Sequence, residues 1–196
     1  MANLITLAEY KEAEGLSNPK DDLRLQTLIP SISELVKTYC GNSLVDYYST
    51  NKVETFSIDW ATSVVQLTES PLNTVVSVEE RRSYNEAYAT LTTANFDYYV
   101  DGNTDSIIRT NSGGRTINWA TGVGAVKITY TAGYATLPVD LKLAVIDLMT
   151  YYFKREHKER RTLGGASIQN SATTSQADNV GFPDHIKRIL DLYKTY

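Results

Sequence analysis

Apolar and polar positions follow a helical spacing from Leu4 to Gly41. Thr6-Leu-Ala-Glu9 fits a capping box, in which the Thr hydroxyl accepts from a backbone N–H and Glu9 reaches back. Ile5 and Tyr10 flank it as a hydrophobic staple. This first helix is short and stops near Gly15. Asn18-Pro19 then supplies an N-cap followed by proline at the first helical position, and Asp21 and Asp22 sit favourably against the helix dipole. Leu25, Leu28, Ile29, Ile32, Leu35, Val36 and Tyr39 form one apolar stripe, closed by Gly41. Pro30 falls inside the stripe and is expected to kink or break the helix.

From about residue 50 to 131 the period drops to two. Strand-like runs occupy 53–58, 63–67, 74–78, 96–100, 106–109, 116–119 and 125–131. Asp101-Gly102, Ser112-Gly-Gly114 and Gly122-Val-Gly124 read as turns between them. The pattern predicts short antiparallel strands, with 81–94 ambiguous between a helix and a polar loop.

Val126, Ile128 and Tyr130 alternate with Lys127 and Thr129 as a half-buried strand, and Gly133 permits a tight reversal. Pro138 suits the first turn of a helix predicted over 138–162. Leu141, Ala144, Val145, Leu148, Met149, Tyr152 and Phe153 keep helical spacing, while Leu143, Ile146 and Tyr151 add a second apolar stripe. A helix apolar on nearly every side is either deeply buried or gives one face to another subunit. Residues 164–181 are small, polar and free of Lys and Arg, too weakly hydrophobic to fold alone. Pro183 starts a last helix with Ile186, Ile189, Leu190 and Tyr193 on one face. These patterns give an α+β fold: a small helical bundle with an inserted antiparallel β-rich region. The parts are N-terminal helices over 1–48, the insert over 49–132, and the long helix, loop and C-terminal helix over 133–196.

With 196 residues the chain can bury a real core, and its 42% hydrophobic and 21% charged fractions are ordinary for a globular protein. No apolar run reaches the roughly 18 residues of a membrane span, and Met-Ala-Asn-Leu-Ile-Thr does not read as a secretory signal. One cysteine, Cys40, allows no internal disulfide and fits synthesis in a reducing cytoplasm. The net charge of −4 gives no general affinity for nucleic acid, but its distribution is uneven. Residues 52–131 hold six Lys or Arg against nine Asp or Glu, whereas 154–161 hold five against two. The 14 tyrosines suit either core positions or wet interfaces.

Catalytic and cofactor constellations are nearly absent, so no enzyme, metal or cofactor is expected. His157 and His185 lack partners with ligand spacing. Gly122-Val-Gly-Ala-Val-Lys127 lacks Walker spacing and runs into a strand, so it reads as a hairpin turn. Cys40 has no evident base nearby and reads as a structural thiol. Asp97, Asp101 and Asp105 lack the glycine and terminal glutamate of a calcium loop. The candidate site is the basic cluster Lys154, Arg155, Lys158, Arg160 and Arg161, which can face nucleic-acid phosphates or an acidic protein surface. Its simpler reading is a set of cations complementing a helix C-terminus. Leu143, Ile146, Tyr151, Phe182, Ile186, Ile189 and Tyr193 are the candidate interface with another subunit or a partner protein.

Tyr130-Thr-Ala-Gly-Tyr-Ala-x-x-Pro-x-Asp-Leu-Lys142 and the Tyr-rich apolar helix after it resemble the head–tail connector (adaptor, or head-completion) proteins of tailed bacteriophages. Leu4 to Lys11, Asp21-Asp22-Leu23, Val36 to Gly41 and Phe182 to Lys194 resemble the family's other helices, in the expected order. The resemblance implies a non-enzymatic neck protein in the virion, made in the host cytoplasm. It implies a homo-oligomeric ring, usually twelve-fold, docked on the portal protein. Such a ring extends the channel for packaged DNA and carries a tail-side stopper or completion protein. The β-rich insert is longer than expected of compact members. A tail-completion protein, or a β-sheet module binding a ligand through Tyr and Trp residues such as Trp60 and Trp119, are the competing readings.

Overall fold

The capping box that opens the chain holds in the computed structural model, which describes residues 2–154 and 182–195. Thr6 Oγ1 accepts from Glu9 N at 3.2 Å and Glu9 Oε2 accepts from Thr6 N at 2.7 Å, starting α1 (Leu7–Ala13). A 3-10 turn over Pro19–Asp21 leads into α2 (Asp22–Cys40), which Gly41 closes in the left-handed conformation at φ 66°. The helix runs unbroken through Pro30, which corrects the expected break. Pro30 and Gln26 are both exposed, so the carbonyl that loses its partner stands on the wet side of the helix. The hydroxyls of Thr27, Ser31 and Ser33 donate to carbonyls four residues back, at 2.8–3.1 Å, around the proline.

The fold is α+β, and its described residues form two compact units. One comprises Met1–Asn42 and Leu137–Lys194, the other Ser43–Thr136. In the first, α3 (Val139–Phe153) packs against α2 and α4 (Asp184–Asp191). Pro138 and Pro183 stand at the N-cap positions, one residue before their helices. Leu141, Ala144, Val145, Leu148 and Met149 are fully buried, as are Leu190 and Val36. The α1 helix reaches α3 through Tyr10 Oη to Thr150 Oγ1 at 3.1 Å and Lys142 Nζ to Glu9 Oε1 at 2.7 Å. Arg24 fixes the far end of α3, donating to the Phe153 carbonyl at 2.6 Å with its guanidinium 4.5 Å from the Phe153 ring.

The second unit holds β1 (Lys52–Ile58), β2 (Val64–Gln66), β3 (Leu72–Glu80), β4 (Ala89–Leu91), β5 (Tyr98–Asp101), β6 (Ser106–Arg109) and β7 (Gly122–Ala132). They form a four-stranded sheet, β1-β7-β3-β4, and a three-stranded sheet, β2-β6-β5, with every described pairing antiparallel. Central β7 buries Val126, Ile128, Tyr130 and Ala132 and alternates them with Lys127, Thr129 and Thr131. Those four join Val65, Leu67, Ile107 and Trp119 in one core drawn from both sheets.

Two expectations are corrected here and an open one is settled. Gly122-Val-Gly124 is no hairpin turn but the start of β7. Ile58 faces Gly122 while Phe56 faces Val126, so the extra residues of β7 make a bulge that uses the positive φ of Gly122 and Gly124. Residues 116–119 form only an isolated bridge, Thr116 to Thr110, and Trp119 is buried at 2% exposure. The ambiguous 81–94 stretch is a loop followed by the short β4 and a 3-10 turn over Thr93–Asn95.

Candidate functional site

The root of the β-rich unit is tightly built. Ala132 N donates to Tyr47 O at 3.0 Å, Gly133 N to Pro71 O at 2.8 Å and Tyr134 N to Leu44 O at 2.7 Å. Leu44 is fully buried at φ 64°, a conformation a branched side chain adopts only when its surroundings demand it. Beside it, Ser43 N and Oγ both donate to Glu69 Oε2, at 2.8 and 2.7 Å. Lys52 Nζ bridges Glu69 Oε1 and Glu54 Oε1, each at 2.8 Å. Burial opposes the Lys52 charge, but its bonds to Glu54 and Glu69 prevail and raise its pKa. Burial, then the Glu54 charge, pushes the Tyr130 phenol up as well. These groups are mutually satisfied, and their chemistry is structural.

A second cluster holds the 81–88 loop to β7. Arg81 donates from Nε to Gly124 O at 2.9 Å and from Nη1 to Tyr84 O at 3.2 Å, and its guanidinium lies 4.8 and 4.5 Å from the Tyr84 and Tyr88 rings. Tyr88 Oη also donates to Gly124 O, at 2.7 Å. Lys127 pairs with Glu79 and stands 4.5 Å from the Tyr88 ring.

The three-stranded sheet carries an apolar groove of about 270 Å³ lined by Phe96, Tyr98, Tyr99, Ile108, Thr110, Gly114 and Thr116, without a charged residue. Phe96 is 61% exposed and left-handed at φ 57°, held there by Thr110 Oγ1 donating to its carbonyl at 2.5 Å.

The acids of the calcium-like loop act as backbone acceptors. Asp97 accepts from Thr92 N at 2.9 Å, Asp101 from Asn103 N at 3.0 Å and Asp105 from Leu72 N at 2.7 Å. No group of His, Cys, Asp or Glu among the described residues could hold a metal. Cys40 is fully buried, and burial, with the Asp191 charge, raises its thiol to about 11. No described helix is long and apolar enough to cross a membrane.

Of the candidate interface residues, Ile146, Phe182 and Ile186 are buried and use their apolar surface inside the helical unit. Phe182 packs edge-on against Tyr39 at 5.2 Å. Tyr151, Ile189 and Tyr193 are half-buried, and Leu143 is 54% exposed beside Val139 at 86%, one turn earlier on α3. Lys154 is exposed, while Arg155, Lys158, Arg160 and Arg161 and the 164–181 segment lie outside the described residues. Trp119 is buried, which leaves Trp60, 73% exposed, as the outward tryptophan. Helical spacing revealed the apolar surplus of α3, but the groove and the sheet edges had no sequence signal of their own.

Val139 and Leu143 on the helical unit and the uncharged groove of the β-rich unit are surfaces of the kind that meet other chains. The chain belongs to the head completion protein family, whose model matches residues 3–196. It is 23% identical to the head completion protein of Escherichia phage T5 over 199 residues, covering 97% of this chain and 98% of the relative. Its fold is similar to a chain in the neck of an empty gene transfer agent particle computed with C6 symmetry (TM-score 0.60, 16% identity, 98% of this chain and 90% of that one). A chain in the neck of the native particle computed with C12 symmetry is alike as well (TM-score 0.59, 18% identity, 100% and 96% covered).

Proposed function

We propose that this protein is a structural component of the phage neck, forming a ring at the head–tail junction of the virion. In this reading the ring is twelve-fold, docks on the portal protein, extends the channel for packaged DNA and carries the tail-side stopper or completion protein. The family match across residues 3–196 is the observation that carries it. The likeness of fold to chains in C6 and C12 neck assemblies supports it.

The N-terminal helices and α3 make the ring, and the C-terminal helix α4 meets the portal. Leu143 and Val139 give an apolar patch at the start of α3 that a neighbouring copy or the portal covers, flanked by half-buried Tyr151, Ile189 and Tyr193. Lys154, with Arg155, Lys158, Arg160 and Arg161, faces DNA phosphates or an acidic portal surface. No catalysis is assigned to the chain.

Cross-linking mass spectrometry on assembled particles tests the docking. Links from Lys154, Lys158 or Lys187 to the portal are expected. Links confined to tail proteins would move the chain one level down the neck, to the tail-completion reading.

A further inference from the structure

An edge strand exposes backbone N–H and C=O groups that another strand can pair, so sheet edges are where β-proteins meet other chains. The three-stranded sheet ends on β2 at one side and β5 at the other. Thr110 N donates to Asp97 O, Arg109 N to Ser63 O and Leu67 N to Asp105 O, which fixes the residues that face β6. By the alternation of an antiparallel ladder, the backbone groups of Tyr98 and Val100 on β5, and of Val64 and Gln66 on β2, point away from it. Those of Tyr98, Val100 and Gln66 have no partner among the described residues. Those of Val64 meet only the Thr62 hydroxyl, at 3.2 and 3.3 Å.

These edges are short, of 3 and 4 residues, but lack the charged and proline guards. Neither strand carries Lys or Pro, and their only charge is Asp101 at the end of β5. The long edge strand β1 of the other sheet, by contrast, carries Lys52 and Glu54. The outer face between the two open edges is apolar. Val64, Ile108 and Tyr99 are register partners in one cross-strand row, whose ends are 44% and 61% exposed.

We propose that a second copy of this chain sets its β2 against β5 of its neighbour, so that the three-stranded sheets join edge to edge around the ring. The inference rests on the ring reading above. Both strands run antiparallel to β6, hence parallel to each other. A rotation about an axis along the strands therefore brings them together as a parallel pair. The two edges differ, so the contact is heterologous and repeats head to tail until it closes. Both edges are uncharged where they meet, so copies do not repel there. The neighbour's Val64 lands beside Tyr99 and continues the apolar row.

Thiol pairing in assembled particles tests this, since Cys40 is fully buried and does not compete. Val64→Cys combined with Tyr99→Cys is expected, on mild oxidation, to give a ladder of covalent multimers on a non-reducing gel. Gln66→Cys with Tyr99→Cys covers a register shift of one pleat. Each single variant is expected to enter particles and stay monomeric on the gel, because its partner edge has no thiol. A ring seen in the particles without a ladder from either pair would overturn the edge pairing and leave the ring reading standing. A covalent dimer from Tyr99→Cys alone would show like edges meeting and overturn it too. Particles without a ring would overturn both readings.

Discussion

A Cβ on Gly133 would stand 2.5 Å from the Leu44 carbonyl oxygen, and the residue sits at φ 98°. Both the steric and the conformational demand fall on one position at the root of the β-rich unit. Gly133→Ala is expected to destabilise the protein by roughly 3 kcal/mol in chemical denaturation, combining left-handed strain with overpacking. Gly102→Ala, with open space around its Cβ, is expected to stay within about 0.5 kcal/mol of the parent. Equal losses at the two sites would contradict the reading. At this scale the sequence was partly legible. Gly133 was identifiable as a reversal, because a glycine between a strand and a proline-started helix has few other uses. Gly122 and Gly124 misled, since positive φ serves bulges as well as turns and only the register against β1 distinguishes them.

Among the elements, local signals survived and long-range ones were invisible. The capping box could be read because Thr6 and Glu9 are three residues apart. Nothing in the sequence linked Glu9 to Lys142, yet that contact ties α1 to α3. The Glu9 carboxyl is held at about 2, below its usual 4.5, first by the Lys142 ammonium and then by the Thr6 N–H, against the opposing effect of burial. A carboxylate with a depressed folded pKa adds stability above its unfolded pKa and loses it as pH falls through the folded one. The window is therefore between about 4.5 and about 2. Both partners are about a third exposed, so water screens the pair and holds its value to about 0.5 kcal/mol. Glu9→Gln is expected to lower the melting temperature slightly at pH 7 and to match the parent near pH 2. A difference that persists unchanged at pH 2 would show that the charge is not the cause. Pro30 failed as a helix breaker because its lost bond lies on the exposed side, which depends on packing that the apolar stripe only outlines.

For the whole molecule, periodicity sufficed for the α+β class, and the surfaces needed the coordinates. Ile146, Phe182 and Ile186 looked like surplus apolar residues available to a partner, but the helical unit consumes them. Leu143 and Val139 remain outward, and Val64 and Tyr99 become a surface only once β2, β5 and β6 are in register. Family membership and this outward apolar surface are the two observations on which the proposed neck role rests. The most direct test is a cryo-EM reconstruction of the head–tail junction in particles built with this protein. A closed ring of this chain at the portal, with Leu143 buried between copies or against the portal, is the expected result. Particles with the chain absent from that junction, or present there as a single copy, would contradict the ring-forming neck role.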